Sequence, residues 1–562
     1  MNKSLTIPKL FVRFSWKHLL MSAIALGVLL RILNLGSREF WYDEVLSLLL
    51  SNGQKNAYHT PRDVPVILAE YTSLLSLPVE VSIRGFITTF NNLFHSLLGG
   101  EPHPPLFFLS QHIWLRLFGN SEAAMRSLNA MVSVGAIASI YGLGKLLGGN
   151  RGGLLLAALL ALNPFYLFHS LNFRMYAPLV LWAILSAWSL LHLTYQQDND
   201  TPKSRHVLLW NVILITSVAA GLLTFYLYAY WVITLAALVL YLDRQHWWQH
   251  GLRLGTGVLL TMPWVLWGTL KQLHNADLKR FGVTPQSTNP LLTHLQNVAQ
   301  TLGTHLVVGD WVTTLPLTSV IFSGCITILL LMLCSISLWQ TKEQQKLGIA
   351  LILGILPLLL ALLIDFATKK FTLGFGYGRT MIIILPGCLL LLTLWLELAT
   401  PKQWRIPIAI GLLLLYLSIS IGDFSQRQRS VFHSVAELIL QQPKEPTLVA
   451  MNSQAWGHVM RLAYYISPQS PVMLLAQKPV ELATNLQKVL KQDIERYPRV
   501  IWLDSDNPVW SRLNTEAEIQ REKQRVQQVL SDQYQLKKSQ HLSGTMSLDN
   551  FTVNIYERFS KN

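Results

Sequence analysis

Apolar runs of about 20 residues recur from residue 18 to residue 422, and they constrain this chain more than any motif does. A helix rises about 1.5 Å per residue, so roughly 20 apolar residues cover the ~30 Å hydrocarbon core of a bilayer. Because 51% of the 562 residues are hydrophobic and only 13% charged, the pattern predicts an α-helical polytopic membrane protein. Eleven spans are expected, near 18–37, 125–146, 152–170, 176–195, 207–225, 227–242, 254–270, 316–339, 347–364, 379–397 and 405–422. The N-terminal stretch is basic and then apolar without a small-residue cleavage pattern, so it reads as an uncleaved first helix. Cys325, Cys334 and Cys388 all lie inside apolar runs, as small buried hydrophobes do, and suggest neither a metal site nor a disulfide framework.

The formal charge of +15 does not point to nucleic acid, because the basic residues form no stripe and no recognition motif. They mark topology instead. With eleven spans, alternate connections carry Lys3, Lys9, Arg13 and Lys17; Lys145 and Arg151; Lys203 and Arg205; Arg244 and Arg253; Lys342 and Lys346; Lys402 and Arg405. The positive-inside rule makes these cytoplasmic, with the N-terminus inside and the tail after about 423 outside, as in a bacterial inner membrane protein. The segment Pro104 to Gly119 is apolar, but counting it as a span would invert every later loop. It is expected to be a juxtamembrane helix within a long external excursion over 38–124, whose remainder also alternates at helical spacing.

Given that topology, the unusual polar residues gather on the outer side. Asp43 and Glu44, in the sequence FWYDE, follow the first span directly, where charge beside lipid is costly and marks function unless it is merely solvated. His103, Asn172, Arg174, Tyr176, Lys369, Lys370, Tyr377 and Arg379 fall at outer span ends or in external loops. Span interiors carry few ionisable groups, Arg31 being an exception, which weighs against an ion-coupled transporter or a flippase of lipid-linked sugars. A non-catalytic membrane scaffold with an external binding domain is a further alternative. The loop over 271–315 is long and polar, suited to covering a site or seating an acceptor.

FWYDE, HPPLFF (His103 to Phe108), LFGNSEAAMRSLNA (Leu117 to Ala130), NPFYLFHSLNFRMYAPL (Asn163 to Leu179) and GYGRTMIIILP (Gly376 to Pro386) together resemble the ordered motifs of GT-C glycosyltransferases. The resemblance is to the family-39-like group, which includes protein O-mannosyltransferases, aminoarabinose transferases and bacterial lipopolysaccharide glycosyltransferases. It spans roughly 18–400 and implies transfer of a sugar from a polyprenyl-phosphate donor to a lipid, glycan or protein acceptor at the outer membrane face, usually with inversion.

Asp43, at the family's acidic position, is then the general base that takes the acceptor hydroxyl's proton; the alternative is that it caps a helix beginning near Val45. Glu44 is expected to tune Asp43, to help it hold Mg²⁺ or Mn²⁺, or to face water. Arg174 and Arg379 suit the donor phosphate, since a guanidinium fork pairs with phosphate oxygens, and interfacial snorkelling is the alternative for both. His103 stands where aminoarabinose transferases tend to carry Lys, and is expected to share that role. Tyr176, Tyr377 and Asn172 are expected to contact substrate. The chain departs from the family at Asn172, where many relatives have an acid, so a second carboxylate there is lost.

Beyond 422 the spans end and about 140 residues remain, enough for a small soluble domain over 423–562. Thr447 to Asn452, Arg499 to Ser505 and Asn550 to Arg558 read as strands, and 480–496 and 514–531 as helices, giving an α/β layer. The domain is expected to recognise acceptor or close over the catalytic face, with Asp504 and Asp506 in a turn.

Overall fold

The computed structural model describes residues 16–99, 101–196, 204–275, 289–426, 431–509, 511, 513, 515–544 and 547–559. Lys3, Lys9, Arg13, Lys203 and residues 276–288 of the polar loop lie outside the described residues. The chain divides into two compact units. One comprises 1–34, 102–107 and 126–423, and the other 35–101, 108–125 and 424–562.

The first unit is helical. Seven helices of the described chain are long and apolar enough to cross a membrane, eight if the bent pair Gln344–Gly354 and Leu356–Thr368 counts as one span. Each of the eleven expected spans is helical, but several are joined, shortened or broken. Glu122–Leu162 runs as 41 residues through two of them, turning at Gly149 (φ 69°, ψ −174°), a conformation open essentially to glycine alone. Just past the turn the arms touch closely: a Cβ on Gly153 would lie 2.7 Å from the Tyr141 carbonyl oxygen. Tyr228–Leu242 has only 15 residues. The expected span over 254–270 is broken: Trp247–Leu259 stops two residues before Met262–Trp264, whose Pro263 cannot donate to the helical ladder. The span over 152–170 breaks at Asn163, whose Oδ1 accepts from the Tyr166 amide at 2.9 Å and starts a new helix, Pro164–Ser170.

Arg31, the ionisable exception in the first span, is fully buried within this unit. It donates to the carbonyls of Gly27 (2.8 Å) and Ala161 (2.7 Å) and to Ser133 Oγ (2.9 Å). A cation in apolar surroundings is tolerable only when such acceptors replace water. Gly27 lets the helices approach, since a Cβ there would stand 2.7 Å from the Ala161 oxygen.

The second unit is an α/β layer built on six strands. They are β1 (Val66–Ile67), β2 (Thr447–Met451), β3 (Val472–Ala476), β4 (Arg499–Ser505), β5 (Tyr534–Ser543) and β6 (Asn550–Arg558), in the order β1-β3-β2-β4-β6-β5. β3, β2 and β4 are parallel, and β1, β6 and β5 add antiparallel edges. β2 and β4 are buried along their whole length, as central parallel strands covered on both faces are. Helices Pro479–Asp493 and Glu516–Ser531 cover one face through Leu482, Leu486, Val526 and Leu530, which pack with Leu448, Ala450 and Trp502. The three strands and two helices expected from sequence are present. The compact unit is nevertheless larger than 423–562, because β1 pairs with β3 and the segment around FWYDE packs against helix Trp456–Tyr465.

Candidate active site

The acidic pair starts helix Tyr42–Ser51. The helix begins three residues earlier than the capping alternative requires, so Asp43 lies inside the first turn and Trp41 holds the N-cap position. Glu44 does the capping. Its side chain is buried and Oε2 accepts from the Trp41 amide at 3.0 Å, satisfying one of the donors that a helix start leaves open. Asp43 is half-buried, and its carbonyl accepts from Ser47 Oγ at 3.0 Å.

The residues before the pair are fixed to the sheet-bearing unit. The Phe40 amide donates to Tyr465 Oη at 2.6 Å, and the Phe40 ring meets Tyr464 edge-on at 4.9 Å. Tyr42 lies against Gly457, where a Cβ would come within 2.5 Å of its ring, and meets His458 edge-on at 5.5 Å. Glu39 accepts from the His433 amide at 2.6 Å and lies 3.6 Å from Arg461, which also pairs with Asp549. The hydrogen bond to Glu39 raises the His433 pKa, whereas burial lowers that of His458 to about 4.

Arg174, Arg379, His103, Asn172, Tyr176 and Tyr377 belong to the first unit. Arg379 and Tyr176 meet: the guanidinium carbon lies 5.8 Å from the Tyr176 ring centroid and 5.4 Å from that of Phe375. Tyr176 in turn contacts Phe225 edge-on at 6.5 Å, and the His103 ring stacks on Phe225 at 5.5 Å. The His103 carbonyl accepts from Gln272 Nε2 at 2.9 Å, and Gln272 is itself bonded to Tyr226 Oη. Two cationic or cationisable groups, Arg379 and His103, are thereby set around one aromatic pair.

Arg174 is buried in the turn between helices Pro164–Ser170 and Tyr176–Gln196. Asn129 fixes this turn: its Nδ2 donates to the Asn172 carbonyl and, at 2.5 Å, to the Arg174 carbonyl. The Arg174 amide also donates to the Asn172 carbonyl at 2.9 Å. Asn172 is buried, and the two of these bonds that reach it engage its backbone carbonyl. Asn129 was passed over in the sequence although it closes LFGNSEAAMRSLNA; two carbonyls turned toward one helix position cannot be read from residue order.

Arg379 is oriented by an unusual turn. Gly376, Tyr377 and Gly378 have φ of 55°, 59° and 83°, three successive left-handed residues. A Cβ on Gly376 would sit 2.3 Å from Arg379 Nε, and one on Gly378 2.5 Å from Thr301 Oγ1, so both positions require glycine for space as well as for φ. Tyr377 packs against Val308, Val312 and Val320, and no ring contact joins it to the Tyr176 pair. Asp365, also missed, braces the same loop: its carboxylate accepts from Thr372 Oγ1 (2.6 Å) and the Leu373 amide (3.0 Å). Lys369 ends the preceding helix in the left-handed conformation (φ 53°), and the Lys370 amide donates to the Asp365 carbonyl at 3.0 Å.

At the acidic pair, one carboxylate oxygen of Glu44 is engaged by its own helix start. Among the described residues, no group of three His, Cys, Asp or Glu side chains converges as a ligand set.

Residues 102–267 match the family described as dolichyl-phosphate-mannose-protein mannosyltransferase. That interval contains His103, Asn129, Asn172, Arg174, Tyr176 and Phe225. No curated protein matches the chain. Among solved structures, ArnT from Cupriavidus metallidurans bound to undecaprenyl phosphate aligns with a TM-score of 0.50 and 12% identity, covering 96% of this chain and 98% of that one. The apo oligosaccharyltransferase of Archaeoglobus fulgidus aligns at 0.47 and 13% identity, over 87% of this chain and 70% of that one. The ArnT alignment establishes a shared fold.

Proposed function

We propose that this chain is a multi-pass membrane glycosyltransferase of the GT-C superfamily, which transfers a sugar from a polyprenyl-phosphate donor to an acceptor hydroxyl with inversion at the anomeric carbon. The observation that carries the reading is the arrangement of Arg379 and His103 about the Tyr176–Phe225 pair, with Arg174 held in the neighbouring turn. As the bond between C1 and the phosphate oxygen breaks, negative charge grows on the phosphate. Preorganised guanidinium donors lower that barrier without reorganising. Undecaprenyl phosphate in the ArnT structure supports the choice of a lipid phosphate.

Asp43 is the proposed base. It takes the acceptor hydroxyl's proton while that oxygen attacks C1 on the face opposite the phosphate. Its neighbour Glu44 is buried and caps the helix start, whereas Asp43 is half-buried in the first turn. Tyr176 and Asn172 are proposed to shape the donor site, and Tyr377 to support it through packing. Transfer is proposed on the outer side, because Lys145 and Arg151, Arg244 and Arg253, Lys342 and Lys346, and Lys402 and Arg405 all fall in the opposite set of connections. The sheet-bearing unit is proposed to be on that outer side too.

The test uses purified full-length protein, undecaprenyl-phosphate-linked hexoses and pentoses, and a membrane extract as acceptor source, with products identified by mass spectrometry. Transfer from at least one donor, lost in folded Asp43→Asn, is the expected result. Undiminished transfer by that variant would remove Asp43 from the mechanism.

A further inference from the structure

We propose that the sheet-bearing unit carries a carbohydrate-binding groove along the carboxyl ends of β2, β3 and β4. This inference rests on that unit alone and does not depend on the transfer reaction.

The topology makes a crevice there. After β2 the chain leaves through helix Trp456–Tyr465 to β3 on one side, whereas after β4 it leaves through helix Glu516–Ser531 toward β5 and β6 on the other. Connections diverging from adjacent parallel strands open a cleft between their ends, the usual place for a ligand in such sheets. Here it is a cavity of about 160 Å³ lined by Asn452 after β2, by Trp502, Asp504 and Asp506 at the end of β4, and by Glu522 and Lys523 from the helix. A second cavity, of about 390 Å³, is lined by the next residues of the same turns: Gln454, Lys478 and Val509, with Tyr58 and Trp456. The proposed groove takes in both cavities.

The lining is fixed and has unspent hydrogen-bonding capacity. Asn452 Oδ1 accepts from the Ser505 amide at 2.7 Å, and its Nδ2 donates to Asp504 Oδ1 at 2.7 Å. Lys523 Nζ stands 2.7 Å from Asp504 Oδ2 and 3.9 Å from Asp506. Trp502 is 2% exposed, yet its indole N–H has no acceptor among the described residues. The buried Tyr58 hydroxyl likewise has no partner there.

The chemistry selects a neutral polyhydroxylated ligand. Asp504, Asp506 and Glu522 outnumber Lys523 in the inner cavity, which disfavours phosphate and other anions. A metal ion is disfavoured because the Lys523 ammonium already occupies the space beside Asp504 and Asp506. Carboxylate, amide and ammonium offer both acceptors and donors to hydroxyls at close spacing. The Tyr58 and Trp456 rings, 6.1 Å apart and inclined at 53°, offer apolar faces to the C–H side of a pyranose. A chain of a few neutral sugars meets both halves.

Full-length protein in lauryldimethylamine oxide, a detergent without a sugar headgroup, is titrated calorimetrically with mannotetraose, cellotetraose and N-acetylchitotetraose. Tetra-alanine and inorganic phosphate serve as comparison probes, and no lipid-linked donor is present, so failure of transfer would leave this readout intact. Saturable binding of at least one tetrasaccharide is expected, weakened at least about tenfold by Asp506→Asn and by Trp456→Ala. Asp506 is 38% exposed, so its replacement does not threaten the fold and decides the matter if Trp456→Ala fails to fold. The proposal is overturned if no tetrasaccharide binds, if folded Asp506→Asn binds as well as the parent, or if peptide or phosphate binds in place of sugar.

Discussion

The Arg379 guanidinium lies 5.8 Å from the centre of the Tyr176 ring, joining a turn after one span to the first residue of another helix. A cation so placed gains about 0.5–1 kcal/mol from the ring. Arg379→Ala is therefore expected to lower kcat/KM for the lipid-linked donor about 10²–10³-fold, with Arg379→Lys between it and the parent. Gly376→Ala should mimic a milder version, since its Cβ would press on Arg379 Nε. Steady-state kinetics with a lipid-linked donor checks all three.

Asp43 and Glu44 should separate cleanly. Asp43→Asn is expected to abolish transfer by about 10²–10⁴-fold with little change in melting temperature. Glu44→Ala should instead destabilise the sheet-bearing unit by about 1 kcal/mol or more, because a buried backbone donor loses its acceptor. Activity and thermal melting measured on the same preparations distinguish the two behaviours.

Asn129→Ala leaves two buried carbonyls, those of Asn172 and Arg174, without the amide that bonds both. A cost of about 1–3 kcal/mol in all is expected, mostly at the Arg174 carbonyl, because the Asn172 carbonyl keeps its bond from the Arg174 amide. A displaced Arg174 should also raise KM for the donor more than it lowers the melting temperature. Asn129→Asp, which can accept but not donate, should be no better.

Acid should weaken the sheet-bearing unit in two stages. Burial holds the His458 pKa down at about 4, below its ordinary 6.5, against the Asp549 charge that opposes the shift. The unfolded chain takes this proton first, so the stability present above pH 6.5 is lost as pH falls from about 6.5 to 4, on the order of 3 kcal/mol at most. Glu80 adds a second stage. Arg116 bonds both its oxygens, at 2.8 and 2.7 Å, and holds it down at about 2, so its contribution is present above pH 4.5 and is lost between about 4.5 and 2. Melting temperature against pH should show both declines, and His458→Gln should flatten the upper one.

Much of this architecture was legible because membranes and sheets impose strong periodicities. Uncharged runs revealed the spans, and the unbroken hydrophobic stretches of β2 and β4 revealed buried strands. What escaped depends on partners far away in sequence. β1 has two residues and exists only because β3 offers an edge. β5 is almost wholly exposed, so it has no hydrophobic signature. Within the site, Arg379 and Tyr176 stand out as polar residues at span ends, but their meeting, and the aromatic link to His103, cannot be derived from spacing. For Glu44 the sequence left tuning of Asp43, a metal or water open; a helix start at Tyr42 gives its side chain a capping bond.

The sequence separation of 425 between Phe40 and Tyr465, which the folded protein joins by a hydrogen bond, sets an order on biosynthesis. The ribosome delivers the helix bearing Asp43 almost at once, yet the surface that receives Phe40 and Tyr42 is translated after every span has been made. A nascent chain therefore inserts its membrane helices while its acidic helix has no seat, and maturation of that helix waits for the final hundred residues. Chains truncated ahead of Trp456 would reach the membrane with the acidic residue present and its support missing.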